Sequence, residues 1–198
     1  MSERKLNMAY FMDRSKANGH GERAVVWVQG CNLKCSGCFN PQNWSFEPNI
    51  MVPVTELANK ILMIESIEGV TFSGGEPFLQ ADALADLAEI LQQNGKTVLI
   101  FTGFTYTELK DKEDIGVNRL LAAADMLVSG RYDQENATDG KALIASSNQK
   151  VISLTGKIPA PDAGEIPPIE INIHNGEIYI TGFPDIEYIR KLKAHLGG

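Results

Sequence analysis

The sequence predicts an α/β fold built on a parallel sheet, and three observations predict it. Short β-branched apolar runs recur along the chain, at residues 24–29 (AVVWVQ), 70–72, Thr97–Thr102 (TVLIFT) and Met126–Ser129. Amphipathic helical patterns lie between them: residues 54–66 with Leu57, Ile61 and Ile64 on one face, residues 80–93 with Leu84, Leu87, Ala88 and Leu91, and residues 117–124. The third observation is length. In 198 residues only four or five such strand–helix units fit before residue 155, too few for a closed eightfold barrel. The expected architecture is a partial, open βα barrel of about five or six parallel strands.

The elements follow in order. Residues 24–29 end at Gly30 and deliver a loop containing every cysteine of the chain. The strand at 70–72 runs into Ser73-Gly74-Gly75-Glu76-Pro77, and Asn94-Gly95 stops the helix at 80–93. Residues 130–149 are polar and read as a long loop, with a strand at 151–154 after it. The texture then changes. Residues 156–168 carry four prolines and read as a linker or extended surface loop. Ile169–His174 and residues 177–181 flank Asn175-Gly176, a strong hairpin signal. Residues 184–196 read as a terminal amphipathic helix. The expected organisation is a core at residues 1–155, with residues 156–198 as linker, β-hairpin and helix packed on it.

Composition narrows the function. With 43% hydrophobic and 22% charged residues the chain can bury a core. A formal net charge of -7 disfavours non-specific nucleic-acid binding, which needs cations against phosphates. No apolar run is long enough to span a membrane, and residues 1–23 lack the apolar core of a signal peptide, so a cytoplasmic protein is expected.

The three cysteines, Cys31, Cys35 and Cys38, fall in one C-x3-C-x2-C loop. An odd, clustered set in a reducing compartment points to metal chemistry rather than disulfides. A [4Fe–4S] cube needs four terminal ligands, and three thiolates leave one iron open to a chelating cofactor or substrate. The plainer alternative is structural zinc held by Cys3His, with His20, His174 or His195 as the fourth ligand. Zinc sites usually pair cysteines on two separated knuckles, and no histidine stands at a usual nearby spacing.

Joined to Gly74-Gly75-Glu76 after the second strand, the cysteine loop resembles the signature of the radical S-adenosylmethionine (SAM) superfamily. Residues 30–41 (GCNLKCSGCFNP), with Trp44, are similar to the cluster loop of glycyl-radical-enzyme activases, above all those of anaerobic ribonucleotide reductases. Phe101-Thr102-Gly103-Phe104-Thr105 with Glu108-Leu109, and Ser146-Ser147-Asn148-Gln149, resemble further segments of that group. Two positions depart from it. Asn18-Gly19-His20-Gly21 stands where activases often carry Asp-Gly-Pro-Gly, a segment implicated in docking the glycyl loop, and Phe39 stands where histidine is common.

The resemblance implies a reaction and a set of roles. Cys31, Cys35 and Cys38 would each ligate one iron, with SAM chelating the fourth. One electron from the reduced cluster would cleave SAM to methionine and a 5′-deoxyadenosyl radical, which takes hydrogen from a glycine of a partner enzyme. Gly74, Gly75 and Glu76 would meet the methionine amino group, Thr102 the ribose, and Gly37 and Phe39 would border the adenine. Ser129 and Arg131 end the fourth strand, and Arg131 would pair with the SAM carboxylate. A flavodoxin or ferredoxin is the implied electron donor. A second class of function, modification of a small molecule or a peptide, is consistent with the altered segment at 18–21.

Overall fold

The computed structural model describes residues 3–138, 143–161, 166–167, 169–174, 177–183, 191 and 194–195. In chain order its elements are β1 (Lys5–Ser15), β2 (Arg23–Val28), β3 (Ile50–Pro53), α1 (Val54–Leu62), β4 (Gly69–Gly74), α2 (Ala81–Gln93), β5 (Thr97–Thr102), α3 (Tyr106–Lys110), α4 (Ile115–Ala122), β6 (Met126–Ser129), β7 (Lys150–Ser153), β8 (Ile169–His174) and β9 (Glu177–Gly182). The seven-stranded sheet has the order β3-β1-β2-β4-β5-β6-β7, and β8-β9 form a separate hairpin.

The four apolar runs become four parallel neighbours, β2, β4, β5 and β6. Fewer strands are parallel than the sequence suggested, because β7 returns antiparallel to β6 and β1 runs antiparallel to both β2 and β3. Among the described residues between β6 and β7 there is no α-helix to make a parallel crossover. β1 and β3 were not legible as strands. β1 mixes Lys, Asn, Asp and Arg with its apolar residues, and its register is broken by irregularities between Met8 and Tyr10 and between Met12 and Ser15, which blur a period of two. The terminal helix expected at 184–196 and the turn at Asn175-Gly176 lie outside the described residues, apart from Lys191, Ala194 and His195.

Consecutive parallel strands are also spatial neighbours, so every crossover proceeds in one direction and right-handed connections place their helices on one face. The core follows this geometry. Val26, Phe72, Ile100 and Leu127 pack against Leu57, Leu84, Leu87 and Leu120 of α1, α2 and α4. The alternate residues of the same strands face away from the helices, as a period of two requires. There Leu99, Met126 and Val128 bury Leu143 and Ile158, while Met12, Val25 and Trp27 pack with Tyr179 of the hairpin. Ile158 and the hairpin's Tyr179 thus lie on the face that the helices leave open.

Asp125, between α4 and β6, ties the sheet to the chain beyond β7. Its fully buried side chain accepts from Val98 N (2.9 Å), Thr155 Oγ1 (2.7 Å) and Gln92 Nε2 (3.3 Å), with Lys157 Nζ at 3.3 Å. Burial alone would raise its pKa, but these donors bring it below the ordinary carboxylate value. A depressed folded pKa means stability present above the unfolded value, about 4, and lost as pH falls through the folded one. Asp125→Asn should therefore cost about 2 kcal/mol at neutral pH, and less in acid, by urea unfolding at both pH values.

Candidate functional site

The carboxyl ends of the four parallel strands each deliver one part of a site, as expected for this sheet type. β2 leads into the cysteine loop, β4 into Gly74-Gly75-Glu76, β5 into Thr102-Gly103, and β6 into residues 130–133. The first two parts are hydrogen-bonded to one another. Gly75 N donates to Val28 O (2.7 Å) and Glu76 N to Gly30 O (2.9 Å), while Gly30 N donates to Asn43 O (2.8 Å) and Cys31 N to Trp44 O (3.2 Å). The contact requires glycine. A Cβ on Gly75 would stand 2.3 Å from Gly30 O, and Gly74 has φ +103° with a Cβ position 2.4 Å from Val28 N. The two motifs that the sequence separates by some forty residues are one backbone assembly.

Cys31, Cys35 and Cys38 line a cavity of about 150 Å³ together with Gly74, Gly75 and Glu76. All three cysteines are free of disulfides, Cys31 buried and the other two half-buried. Burial raises the thiol pKa values of Cys31 and Cys35, against which the backbone N–H groups of Leu33 and Lys34 favour the Cys31 thiolate and that of Tyr132 the Cys35 thiolate. Asn40 N lies 3.4 Å from Cys38 Sγ. Each sulfur therefore faces a backbone donor, the arrangement that stabilises anionic sulfur on a cluster. Among the described residues no three Cys, His, Asp or Glu side chains converge tightly enough to hold a single ion. Cluster ligands stand further apart, each on its own iron. Three thiolates around one cavity, in a chain with three cysteines, fit a [4Fe–4S] cluster with one iron left without a protein thiolate.

Glu76, which lines this cavity, is fully buried. Its carboxylate accepts from Phe78 N (3.0 Å), Thr102 Oγ1 (2.8 Å) and Gly103 N (2.8 Å). Burial pushes its pKa up to about 7, against the pull of those donors and of Lys112. The side chain thus fastens the end of β4 to the end of β5. Thr102 lines the cavity, but its hydroxyl donates to Glu76 and accepts from Phe104 N (3.1 Å), so that proton is already engaged. Phe39 lines the cavity and packs on Tyr132, ring centroids 5.2 Å apart. Gly37, Ser129 and Arg131 are not among the lining residues. Ser129 is buried at the end of β6. Arg131 is exposed, and its Nη1 bonds Glu108 Oε1 (2.9 Å) and Oε2 (3.1 Å).

Ser146-Ser147-Asn148-Gln149 acts on the site through the β6 loop. Asn148 Nδ2 donates to Arg131 O (2.8 Å), Gln149 Nε2 to Gly130 O (2.9 Å), and Ser146 Oγ accepts from Asp133 N (3.1 Å). These bonds hold the backbone that aims Tyr132 N–H at Cys35. Sequence reasoning missed Tyr132, since a main-chain donor leaves no residue signature. The double variant Asn148→Ala with Gln149→Ala should release this N–H, and the cluster's reduction potential should move to more negative values in an EPR-monitored redox titration.

Comparison with known proteins follows the same lines. The family described as "4Fe-4S single cluster domain" matches residues 17–152. An anaerobic ribonucleoside-triphosphate reductase-activating protein of Vibrio cholerae is 32% identical over 160 residues, covering 76% of this chain and 99% of that protein. The same-named protein of Haemophilus influenzae is 28% identical over 152 residues, 73% of this chain and 96% of its own. A pyruvate formate-lyase-activating enzyme of Clostridium pasteurianum is 38% identical over 95 residues, 45% of this chain and 40% of that one. The chain belongs to the 4Fe-4S single cluster domain family and, within it, to the radical SAM activating proteins of the anaerobic ribonucleoside-triphosphate reductase group.

Proposed function

We propose that this protein activates a glycyl radical enzyme, an anaerobic ribonucleoside-triphosphate reductase, by removing a hydrogen atom from one of its glycines. The observation that carries this is the joining of the three-cysteine loop to Gly74-Gly75-Glu76 by direct backbone hydrogen bonds at one cavity. When bound, a reduced [4Fe–4S] cluster supplies one electron to SAM and yields a carbon-centred radical able to take hydrogen from glycine. Cys31, Cys35 and Cys38 would hold the cluster, and the backbone donors of Leu33, Lys34, Asn40 and Tyr132 would stabilise its charge. The strand end at Gly74-Gly75 presents main-chain groups to the cavity, suited to an ammonium donor. Glu76 positions Thr102 and Gly103 rather than facing a ligand with a free carboxylate, and leaves Thr102 Oγ1 an acceptor for a ribose hydroxyl. Phe39 offers an apolar face for a base at the rim, beside the turn at Gly37. Ser129 serves β6, and Arg131 would reach a SAM carboxylate only by leaving Glu108.

Residues 1–155 make the catalytic core and residues 156–198 an appendage on it. The sequential parallel strands support an open partial barrel, with the helices outside and the site at one mouth. A flavodoxin or ferredoxin would supply the electron, in the cytoplasm. Among the described residues no helix is long and apolar enough to cross a membrane. The test is anaerobic reconstitution with iron and sulfide, reduction, and mixing with SAM and the host's anaerobic reductase. A glycyl radical EPR doublet that requires SAM is expected. SAM cleavage without that doublet would overturn the assignment of the partner.

A further inference from the structure

We propose that the hairpin β8–β9 forms the outer wall of a second cavity, which receives an extended polypeptide segment of the partner and leads it to the cysteine cavity. This rests on the activase function proposed above and names the element that recognises the substrate. The cavity, about 590 Å³, lies between the inner face of β1 and β2, at Tyr10, Met12 and Trp27, and the segment from Tyr179 to Phe183. It falls within the size range of ordinary ligand sites. Phe39, Asn40, Ser73, Phe101 and Phe183 line both cavities, so the two adjoin.

The lining chemistry selects the ligand. Among the described residues it contains no Lys, Arg, Asp or Glu, and it carries six carboxamides: Asn18, Gln29, Asn40, Gln42, Asn43 and Asn49. Asn18 and Gln29 spend their N–H donors within the protein, on Ser15, Thr181, Gln42 O and Ser45 O. The carboxamides of Asn40, Gln42, Asn43 and Asn49 are the ones that can match a backbone edge, since a carboxamide carries a carbonyl and N–H groups as a peptide group does. A phosphorylated or carboxylated metabolite would find no counter-charge there. Tyr10, Trp27 and Phe101 give the cavity aromatic walls.

The hairpin is docked, and leaves the space beneath it open. Tyr179 stacks on Tyr10 with centroids 4.8 Å apart, and Phe183 meets Phe101 at 5.9 Å. Asn18 Nδ2 donates to Thr181 Oγ1 (2.8 Å) and Ser15 Oγ (2.8 Å), and Ser15 Oγ donates to Glu170 Oε2 (2.6 Å). These bonds account for asparagine at position 18, where activases often carry aspartate. An aspartate would replace the amide donor by an acceptor and set a second carboxylate near Glu170. The match to the family ends at residue 152, before the hairpin begins. The wall is therefore an addition to the core, coupled to a changed residue within it.

The test uses the full-length, cluster-free protein and a fluorescein-labelled synthetic peptide spanning the radical-site glycine of the host's anaerobic reductase, read by fluorescence anisotropy. Wild type should bind it. Thr181→Val, which unfastens the wall, and Ala9→Trp, which fills the cavity from β1 without touching the hairpin's hydrogen bonds, should each weaken binding at least tenfold. If Thr181→Val fails to fold by circular dichroism, Ala9→Trp still decides whether the cavity is the site, and Tyr179→Ala replaces it as the probe of the wall. No binding by wild type, or equal binding by wild type and both variants, overturns the proposal. Weakening by Ala9→Trp alone overturns the role of the wall. None of these results touches the activase function, which stands or falls on the glycyl radical signal in the intact partner.

Discussion

Cys35→Ala should abolish both the visible cluster absorbance and SAM cleavage, to below detection, while leaving the fold intact. The cysteine loop is held from outside its thiols: Gly30 and Cys31 are fixed by Asn43, Trp44 and Glu76 through main-chain bonds, and Cys35 itself is half-buried at the cavity rim. Losing one sulfur therefore removes a ligand without opening the core. A cube with two protein thiolates is two terminal ligands short, and one chelating cofactor cannot both replace the thiolate and occupy the open iron. Cys31→Ala and Cys38→Ala should behave alike. Thermal unfolding of the metal-free variants checks the first half of the prediction, and iron analysis with the yield of 5′-deoxyadenosine checks the second. Bound stoichiometric zinc in place of iron after anaerobic purification would contradict it.

The second large effect is at Glu76. Its carboxylate serves three donors in a site with no exposure, and Glu76→Ala would leave Phe78 N, Thr102 Oγ1 and Gly103 N without their partner. Removing one side of a buried charged network typically costs about 3–5 kcal/mol, enough to unfold a domain of ordinary stability. Glu76→Gln keeps one oxygen but turns an amide N–H toward another donor, for a loss of about 1–3 kcal/mol. It should also change the pH dependence. A carboxyl whose folded pKa is raised to about 7 favours folding most below its unfolded value, about 4.3, and this contribution is lost as pH rises through 7. The wild-type advantage over Glu76→Gln should therefore shrink between pH 4 and pH 7.5 in urea titrations of the metal-free proteins. An advantage that grows over that range would mean the carboxylate is ionised in the fold.

The sequence carried the part of this molecule that is local. The C-x3-C-x2-C loop, the Gly-Gly turn after a strand and the helices with Leu57 or Leu84 on one face are patterns of a few residues, and the family match spans the same region. The contacts between those patterns were not legible. Thr102 reads as a strand-end hydroxyl free for a sugar, because nothing nearby announces that Glu76, twenty-six positions earlier, accepts its proton. Arg131 reads as a free cation for the same reason, although Glu108 holds it. β1 was hidden by its mixed composition and broken register. The hairpin was legible as strands around Asn-Gly, but its seat on Tyr10, Asn18 and Phe101 depends on side-chain matches more than eighty residues distant. Such docking has no period and no motif, so only the folded chain displays it.

In the proposed reaction a radical made beside three cysteines takes hydrogen from a partner's glycine. Its most direct measurement is isotope transfer. The host's anaerobic reductase would be prepared with glycine deuterated at the α carbon and incubated with the reduced, cluster-loaded protein and SAM. One deuterium is expected in each 5′-deoxyadenosine formed in step with the glycyl radical, seen as a single mass-unit increase. 5′-Deoxyadenosine without deuterium, at full turnover and with the partner present, would contradict it.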